Sequence, residues 1–235
     1  MATLPPPPTP FYITTIFELS VVGNSNPRGD GGSPIIQYQV GYGTDPNSPQ
    51  AYNSLIGLDG AGSISPLASK VTYYFWARVR TAVGWSGWSG RSSCRTKGIP
   101  NAPGSPYFTY VNQTSAGLKF NLSTDDGGDP LTYVKLGYGL SSSSPTTEVT
   151  QAISDLVFDL TGLSPGGTYY FWGKALNIHG ESNWSARNTG MLVAGAKVKV
   201  GLVYKRALPW VKVAGVWKLA SPWTRTVGFW NEIKQ

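Results

Sequence analysis

The feature that most constrains this chain is an internal repeat with a constant offset of 96 residues. The repeated motifs are Asp30-Gly31-Gly32 with Asp126-Gly127-Gly128, Gly41-Tyr42-Gly43 with Gly137-Tyr138-Gly139, and Thr72-Tyr73-Tyr74-Phe75-Trp76 with Thr168-Tyr169-Tyr170-Phe171-Trp172. Because one offset fits landmarks across most of each copy, the sequence indicates a tandem duplication of a unit just under 100 residues long.

The periodicity within each copy is that of β-strands. Residues 35–42 alternate, with Ile36, Tyr38, Val40 and Tyr42 on one face. In the second copy the alternation predicts that Tyr169, Phe171, Gly173 and Ala175 face inward while Tyr170, Trp172 and Lys174 face outward. The 29 Gly and 18 Pro supply frequent turns, and only 13% of residues are charged, which disfavours helical bundles. We therefore expect an all-β antiparallel sandwich in each copy.

The repeat resembles the fibronectin type III family. The stretch from Leu163 to Tyr169 is similar to that family's tyrosine corner, and Asp-Gly-Gly-x-Pro at 30–34 and 126–130 is similar to its BC loop. The second strand departs from the family, because Leu19, Val21, Leu118 and Phe120 stand where a Trp is usual. The resemblance implies two tandem immunoglobulin-like sandwiches. The predicted domains are a Pro-rich arm at 1–8, type III domains at 9–98 and 99–192, and a basic, Trp-rich β-hairpin repeat module at 193–235.

The segment Trp85-Ser86-Gly87-Trp88-Ser89 resembles the Trp-Ser-x-Trp-Ser element of class I cytokine receptors. A receptor of that class implies a signal sequence, a membrane span and paired cysteines, and none is visible in these residues. We therefore interpret the segment as structural. The predicted aromatic and cation stack consists of outward-facing Trp76, Arg78, Arg80, Trp85 and Trp88.

The side chains needed for catalysis are scarce. Cys94 and His179 are the single Cys and His, too few for a structural zinc site or a base-activated nucleophile. Asp125, Asp126 and Asp129 cluster, but Gly and Pro surround them, which favours a turn over a glycosidase-like or calcium site. We expect no enzymatic activity, no catalytic residues, no cofactor and no metal.

The net charge of +7 lies entirely in the last 40 residues, because residues 1–195 contain eleven Lys or Arg and eleven Asp or Glu. This segment repeats every 13 residues, with units at 197–205, 210–218 and 223–231. Each unit reads as strand, two-residue turn, strand. If Ala214-Gly215 closes a hairpin, both of its faces are substantially apolar. Fewer than about 40 residues rarely bury such faces alone, so the missing core must come from a partner or from the sandwiches.

Tandem Val-Lys-Val-x-Gly-Val-Trp-Lys units separated by Ala-x-Pro, following type III domains, resemble the C-terminal regions of minor tail proteins from tailed phages of actinobacteria. The resemblance implies a nonenzymatic virion protein involved in tail assembly, host attachment or both. It implies other tail proteins as partners and a homo-oligomer in the particle, with a trimer favoured. We expect synthesis in the host cytoplasm without a signal peptide, and no membrane insertion, because no apolar run reaches the roughly 18 residues that a bilayer requires.

The C-terminal module has several interpretations. As an assembly element it would bury its apolar faces against neighbouring subunits. As a receptor-binding surface its Trp rings would stack on a host-envelope glycan, with Lys199 among the cations that meet anionic polymers. A sheet packed on the second sandwich is a third interpretation, and nucleic acid is disfavoured because no nucleic-acid module is recognisable. A carbohydrate-binding module acting on a cell-wall or extracellular polysaccharide is the alternative function. The assembly or binding candidates are Trp210, Val211, Lys212, Val213, Val216, Trp217, Lys218, Trp223, Arg225 and Trp230.

Overall fold

The structure, a computed structural model, describes residues 1–55 and 60–193, together with the backbone of six strands between 197 and 232. All regular elements in this part of the chain are β-strands. The chain divides into two compact units. The first contains residues 1–99 with the short segments 125–130 and 178–180, and the second contains 100–124, 131–177 and 181–235.

The first unit holds a sandwich of two antiparallel sheets. One sheet has the order β1-β2-β5, and the other has the order β4-β3-β6-β7, with β8 also paired to β6. The strands are β1 (Tyr12–Ile16), β2 (Val21–Asn24), β3 (Ile35–Gly43), β4 (Ala51–Leu55), β5 (Gly62–Ile64), β6 (Thr72–Thr81), β7 (Gly84–Trp85) and β8 (Ser92–Arg95). Their inward side chains form one core, in which Phe11, Val21, Val40, Phe75 and Val79 are fully buried.

The second unit repeats this arrangement, with sheets β13-β10-β9 and β12-β11-β14-β15, and with β16 paired to β14. The strands are β9 (Tyr107–Val111), β10 (Ala116–Lys119), β11 (Tyr133–Gly139), β12 (Thr147–Ala152), β13 (Phe158–Leu160), β14 (Thr168–Asn177), β15 (Gly180–Glu181) and β16 (Asn188–Met191). Leu118, Val134, Leu136, Phe171 and Ala175 are fully buried in its core. The two sandwiches are tandem fibronectin type III-like domains, and the fold class is all-β.

A tyrosine hydroxyl joins the same two positions in each sandwich. The Ala68 N–H donates to Tyr73 Oη over 3.0 Å, and the Ser164 N–H donates to Tyr169 Oη over 3.0 Å. The tyrosine thus ties the chain that enters the long strand to the strand itself, which is the corner arrangement of immunoglobulin-like folds.

The alternation predicted for residues 35–42 fails at its first position. Tyr38 and Val40 are buried as expected, but Ile36 is 57% exposed. The pairing of β3 with β6 shifts register between Ile35 and Gln37. Because such a bulge inserts one extra residue, Ile36 leaves the core face and Ile35 packs against the core instead.

The outward tryptophans of the two long strands are buried, contrary to the prediction. Trp76 is 7% exposed and Trp172 is 6% exposed. Trp172 pairs across the sheet with Gly137. A Cβ on Gly137 would lie 2.8 Å from both Pro145 Cβ and Trp184 Cη2, so these side chains already cover the outer face. The alternation placed both tryptophans on the correct face of the sheet. They are buried because further side chains pack over that outer face.

The four residues that stand where the family usually has a tryptophan differ in their burial. Val21, Leu118 and Phe120 are buried and fill the two cores. Leu19 precedes β2 and is 54% exposed, so it contributes nothing to the core of the first sandwich.

The N-terminal arm lies along β7 and the loop that follows it. Gly84 is next to Leu4, Gly87 is next to Pro7, and Gly90 is next to Pro10. Successive contacts are therefore three residues apart in both segments. A repeat of three is that of polyproline II, the conformation that consecutive prolines favour. Pro5 and Pro8 are buried. The Thr3 N–H donates to the Gly31 carbonyl over 2.9 Å and the Thr9 N–H to the Asn26 carbonyl over 2.8 Å, so the arm is fixed at both ends.

Beyond residue 193 the structure describes three separate two-stranded antiparallel sheets. Their strands are β17 (Lys197–Val200), β18 (Val203–Arg206), β19 (Trp210–Val213), β20 (Val216–Leu219), β21 (Trp223–Thr226) and β22 (Phe229–Glu232). In the middle sheet Trp210 pairs with Leu219 and Val213 with Val216. The turn predicted at Ala214-Gly215 lies outside the described residues.

Candidate binding surface on the first sandwich

Strand β6 and the segment after β7 build the candidate site. Arg78 and Arg80 alternate along β6 with the buried residues Ala77 and Val79. Their side chains therefore share the outer face of the sheet.

Two serines attach the following segment to β6. The Ser86 N–H donates to the Val79 carbonyl over 2.8 Å, and the Ser89 N–H donates to the Ala77 carbonyl over 2.7 Å. Each serine Oγ accepts the N–H of the same β6 residue, over 3.1 Å from Val79 and 2.9 Å from Ala77. Because the serines are three residues apart, Trp85 and Trp88 are held at the same spacing.

The Arg78 guanidinium lies between these two tryptophans. Its carbon is 4.5 Å from the Trp85 ring centroid and 4.3 Å from that of Trp88. Tyr52 adds a third ring, 5.9 Å from the guanidinium carbon. Nε and Nη2 of Arg78 donate to Gln39 Oε1 over 2.9 and 2.6 Å. Each cation–π contact contributes about 0.5 to 2 kcal/mol, so Arg78 stabilises the segment that carries both tryptophans.

The outermost members of the site are Tyr52 and Arg80. Tyr52 is 55% exposed, with its ring stacked on Trp88 at a centroid separation of 5.8 Å. Arg80 is exposed, and its guanidinium carbon lies 5.7 Å from the Trp85 centroid. Among the described residues neither Arg78 nor Arg80 forms an ion pair. We name Tyr52, Arg78, Arg80, Trp85 and Trp88 the arginine–aromatic face.

The second sandwich has the corresponding outer face, but its side chains carry different charges. Lys174 takes the place of Arg78, and its Nζ lies 4.5 Å from the Trp184 ring centroid. Glu181 stands where the first sandwich has Trp85, and its oxygens lie 2.5 Å from Lys135 Nζ and 2.8 Å from Lys174 Nζ. Glu148, at the position of Tyr52, lies 3.0 Å from Lys135 Nζ. The hydrogen bonds from Lys135 and then Lys174 lower the pKa of Glu181. This second face is neutralised by its own carboxylates.

Four of the five residues predicted to stack make cation–π contacts, and one does not. Arg78, Trp85 and Trp88 are in direct contact, and the Arg80 guanidinium lies over the Trp85 ring at the longer centroid distance of 5.7 Å. Trp76 is buried and makes no cation–π contact within the described residues. Sequence reasoning did not find Tyr52 or Gln39, because they reach Arg78 through the pairing of β4 with β3 and of β3 with β6, across long sequence separations.

The aspartates considered for catalysis stabilise a turn and bind cations of the first unit. Asp125 Oδ1 accepts the Gly127 N–H and Asp126 Oδ1 accepts the Gly128 N–H, over 3.0 and 2.8 Å, which confirms the predicted turn. Asp125 Oδ2 lies 3.0 Å from Arg95 Nη2 and 3.2 Å from Lys70 Nζ. The Arg95 hydrogen bond, with help from Gly127 and Lys70, lowers the pKa of Asp125 well below its usual range.

The third aspartate of the cluster also binds basic side chains. Asp129 lies 2.8 Å from Lys97 Nζ and 2.6 Å from His179 Nε2. These contacts, with Lys97 first, lower the pKa of Asp129. The part of the chain that the structure describes contains no group of three or more His, Cys, Asp or Glu residues arranged to hold a metal ion.

The C-terminal candidate residues lie on strands β19 to β22. Trp210, Val211, Lys212 and Val213 belong to β19, and Val216, Trp217 and Lys218 belong to β20. Trp223 and Arg225 lie on β21, and Trp230 lies on β22, opposite Arg225.

Parts of this chain are similar in sequence to several known proteins. No family model matches the sequence. The chain is 30% identical over 86 residues to receptor-type tyrosine-protein phosphatase S of Gallus gallus, covering 36% of this chain and 5% of that protein. It is 31% identical over 105 residues to the mouse protein named cell adhesion molecule-related/down-regulated by oncogenes. This match covers 44% of this chain and 8% of that protein.

A longer match, 27% identical over 161 residues, is to human fibronectin type-III domain-containing protein 3A, covering 68% of this chain and 13% of that protein. Among solved structures, the chicken CNTN1 FN1–FN3 domains align over 81% of this chain and 67% of theirs, with 17% identity and a TM-score of 0.42. The chain spans between 5 and 13% of the length of these curated relatives. Within the described residues no helix is long and apolar enough to cross a membrane. The two sandwiches are fibronectin type III-like in fold, and one of these relatives, the human protein 3A, is named for that domain.

Proposed function

We propose that this chain is a nonenzymatic structural and interaction protein of a phage virion, a minor tail component. In this proposal the C-terminal strands associate with other tail proteins and with further copies of the chain. The observation that carries it is the set of three two-stranded sheets, β17–β18, β19–β20 and β21–β22, none of which pairs with another described strand. The resemblance of their repeated sequence to phage tail proteins supports the virion as the setting.

Two-stranded sheets of this size require a partner. Each strand has four residues, and an isolated hairpin is only marginally stable in water. Each sheet also has two edges whose backbone groups are available for pairing with another chain. We therefore expect the strands to become part of a larger sheet or layered assembly when copies meet.

The positive charge of the segment opposes association but does not dominate it. The last 40 residues contain eight Lys or Arg and one acidic residue. At about 0.15 M salt the repulsion between exposed charges is screened over roughly 8 Å, and lysine ends can extend to the rim while their stems remain covered. Burial of Trp and Val at the strand positions is then the larger effect.

The nonenzymatic part of the proposal is supported by the setting of the acidic cluster. The Asp125 and Asp129 carboxylates bind three cations and the single histidine of the chain, His179. Carboxylates held by lysine and arginine have lowered pKa values, whereas a general acid at neutral pH needs a raised one.

Deletion of residues 193–235 tests the proposal in a tailed phage that encodes this chain. We expect the shortened chain to be absent from purified particles, while the full chain with Lys199, Lys212 and Lys218 changed to Gln is still incorporated. If the shortened chain enters particles normally but the particles fail to adsorb, the segment is a host-binding surface and the assembly role is wrong. If it enters and adsorption is normal, neither role is correct.

A further inference from the structure

We propose that the arginine–aromatic face of the first sandwich binds an acidic polysaccharide, one whose sugar units carry carboxylate groups. The inference does not rest on the virion role, because it uses contacts of the first unit alone. The face combines two cations without a described carboxylate partner, Arg78 and Arg80, with an exposed ring, Tyr52.

The charge distribution of the first 99 residues leaves these cations available. The stretch contains seven Lys or Arg and four Asp or Glu. Lys70, Arg95 and Lys97 pair with Asp125 and Asp129. Arg78 is held by rings and by the neutral Gln39 amide, so its positive charge is stabilised without being neutralised.

The second sandwich has carboxylates on the corresponding face. The arrangement of strands and serines that the two copies share therefore does not by itself exclude carboxylates from this face. There the equivalent cation, Lys174, is neutralised by Glu181, at the position that Trp85 occupies in the first copy. The copies thus share a scaffold in which acidic residues fit at the positions of Tyr52 and Trp85. In the first sandwich both positions carry aromatic rings instead, which leaves a positively charged face.

The geometry suits a sugar acid in particular. Nε and Nη2 of Arg78 donate to Gln39, whereas Nη1 donates to no described residue. A carboxylate accepts charge-assisted hydrogen bonds from a guanidinium edge, and these are stronger than hydrogen bonds between neutral groups. One face of Tyr52 stacks on Trp88, and the side chain remains 55% exposed, so a sugar ring has an aromatic surface for its polarised C–H groups. An acidic peptide would use the arginines but would gain little from Tyr52.

The test measures binding of a short polygalacturonate to the full chain by calorimetry. All eight Lys and Arg residues after residue 195 are changed to Gln throughout, because the basic C-terminal segment would otherwise bind any polyanion. In this background Arg80→Gln and Tyr52→Ala each remove one contact of the face. Trp85→Glu introduces the carboxylate that the second sandwich has at this position. Arg28→Gln, in the loop between β2 and β3, removes the same charge from a residue that has no described contact with the face, and it serves as the matched control.

We expect binding that weakens with added salt, and an affinity about fivefold lower for Arg80→Gln and for Tyr52→Ala. Trp85→Glu should abolish binding, with the fold verified by an unchanged circular dichroism spectrum. Arg28→Gln should bind as the unsubstituted face does, and the fully methyl-esterified polymer should not bind. The proposal is overturned if polygalacturonate does not bind, if the ester binds equally, or if Arg28→Gln weakens binding as much as Arg80→Gln. It is also overturned if poly-L-glutamate binds as tightly and Tyr52→Ala changes neither affinity, since the face would then recognise acidic protein.

Discussion

Arg78 places its guanidinium carbon 4.3 Å from the ring centroid of Trp88 on the outer face of the first sandwich. Trp88 is fixed by the serine that follows it, since Ser89 exchanges two hydrogen bonds with Ala77 on β6. Arg78 is fixed by Gln39 on β3. Two serines three residues apart therefore hold the tryptophans in a row in which cations and rings alternate.

The stack should stabilise the first sandwich. Replacing Trp85 and Trp88 together by Ala removes both rings that enclose Arg78, and we expect the free energy of unfolding to fall by about 2 to 4 kcal/mol. Urea denaturation followed by circular dichroism measures the loss. The conservative change Trp85→Phe should retain most of the stability. An unfolding free energy unchanged in the double variant, together with lost binding to cells, would make the tryptophans ligand contacts only.

Gly137 should not tolerate a side chain. A Cβ at this position would lie 2.8 Å from Pro145 Cβ and Trp184 Cη2, closer than packed carbon atoms approach, so Gly137→Ala should displace the tryptophan and lower the melting temperature. Gly104→Ala is the matched control, because its Cβ would be no closer than 3.6 Å to any neighbour. Equal melting temperatures for the two variants would show that the layer over Gly137 is loosely packed.

The N-terminal arm should contribute to the stability of the first sandwich. Removing residues 1–8 uncovers the segment beside Gly84 and Gly87 and breaks the hydrogen bond from Thr3 to Gly31. We expect a lower melting temperature for this unit and faster amide exchange at Ser86. Replacing Pro6, which is exposed, by Ala should have a much smaller effect. Truncation without loss of stability would mean that the observed contacts are too weak to hold the arm in solution.

The contribution of Asp125 to the stability of the fold should depend on pH. Because its pKa is lowered in the folded protein, the carboxylate stabilises the fold at pH values above its unfolded pKa of about 4, and this stabilisation is lost as the pH falls through the folded value. Asp125→Asn should therefore melt at a lower temperature than the unsubstituted chain at pH 7, with a difference that shrinks towards pH 3.

Asp155→Asn provides the control for this titration. Asp155 accepts a turn N–H from Val157, and no cation pairs with it in the described part of the chain. Because Asp155→Asn removes no described ion pair, its effect on the melting temperature should be small. A difference for Asp125→Asn that grows on acidification would contradict the assigned ion pairs.

The sequence predicted the sandwiches well because their determinants are local or repeated. Alternation found the core of β14, and the tyrosine corner followed from its motif. The exposure of Ile36 was missed, because a bulge depends on the register between two strands. The burial of Trp76 was missed for a related reason, since a layer over the outer face forms only when distant segments meet. The same limit applied to the site, where Tyr52 reaches Arg78 through the pairing of β4 with β3.

The most direct test of the proposed association is the mass of the purified chain in solution. Sedimentation equilibrium of the full chain should give about three times the 25.2 kDa of one copy, and the chain lacking residues 193–235 should sediment as a single copy with the circular dichroism of folded sandwiches. Changing Lys199, Lys212 and Lys218 to Gln should leave the assembled mass unchanged. A full chain that remains a single copy at every concentration, or a shortened chain that assembles equally well, would contradict the assignment of the C-terminal strands as the association element.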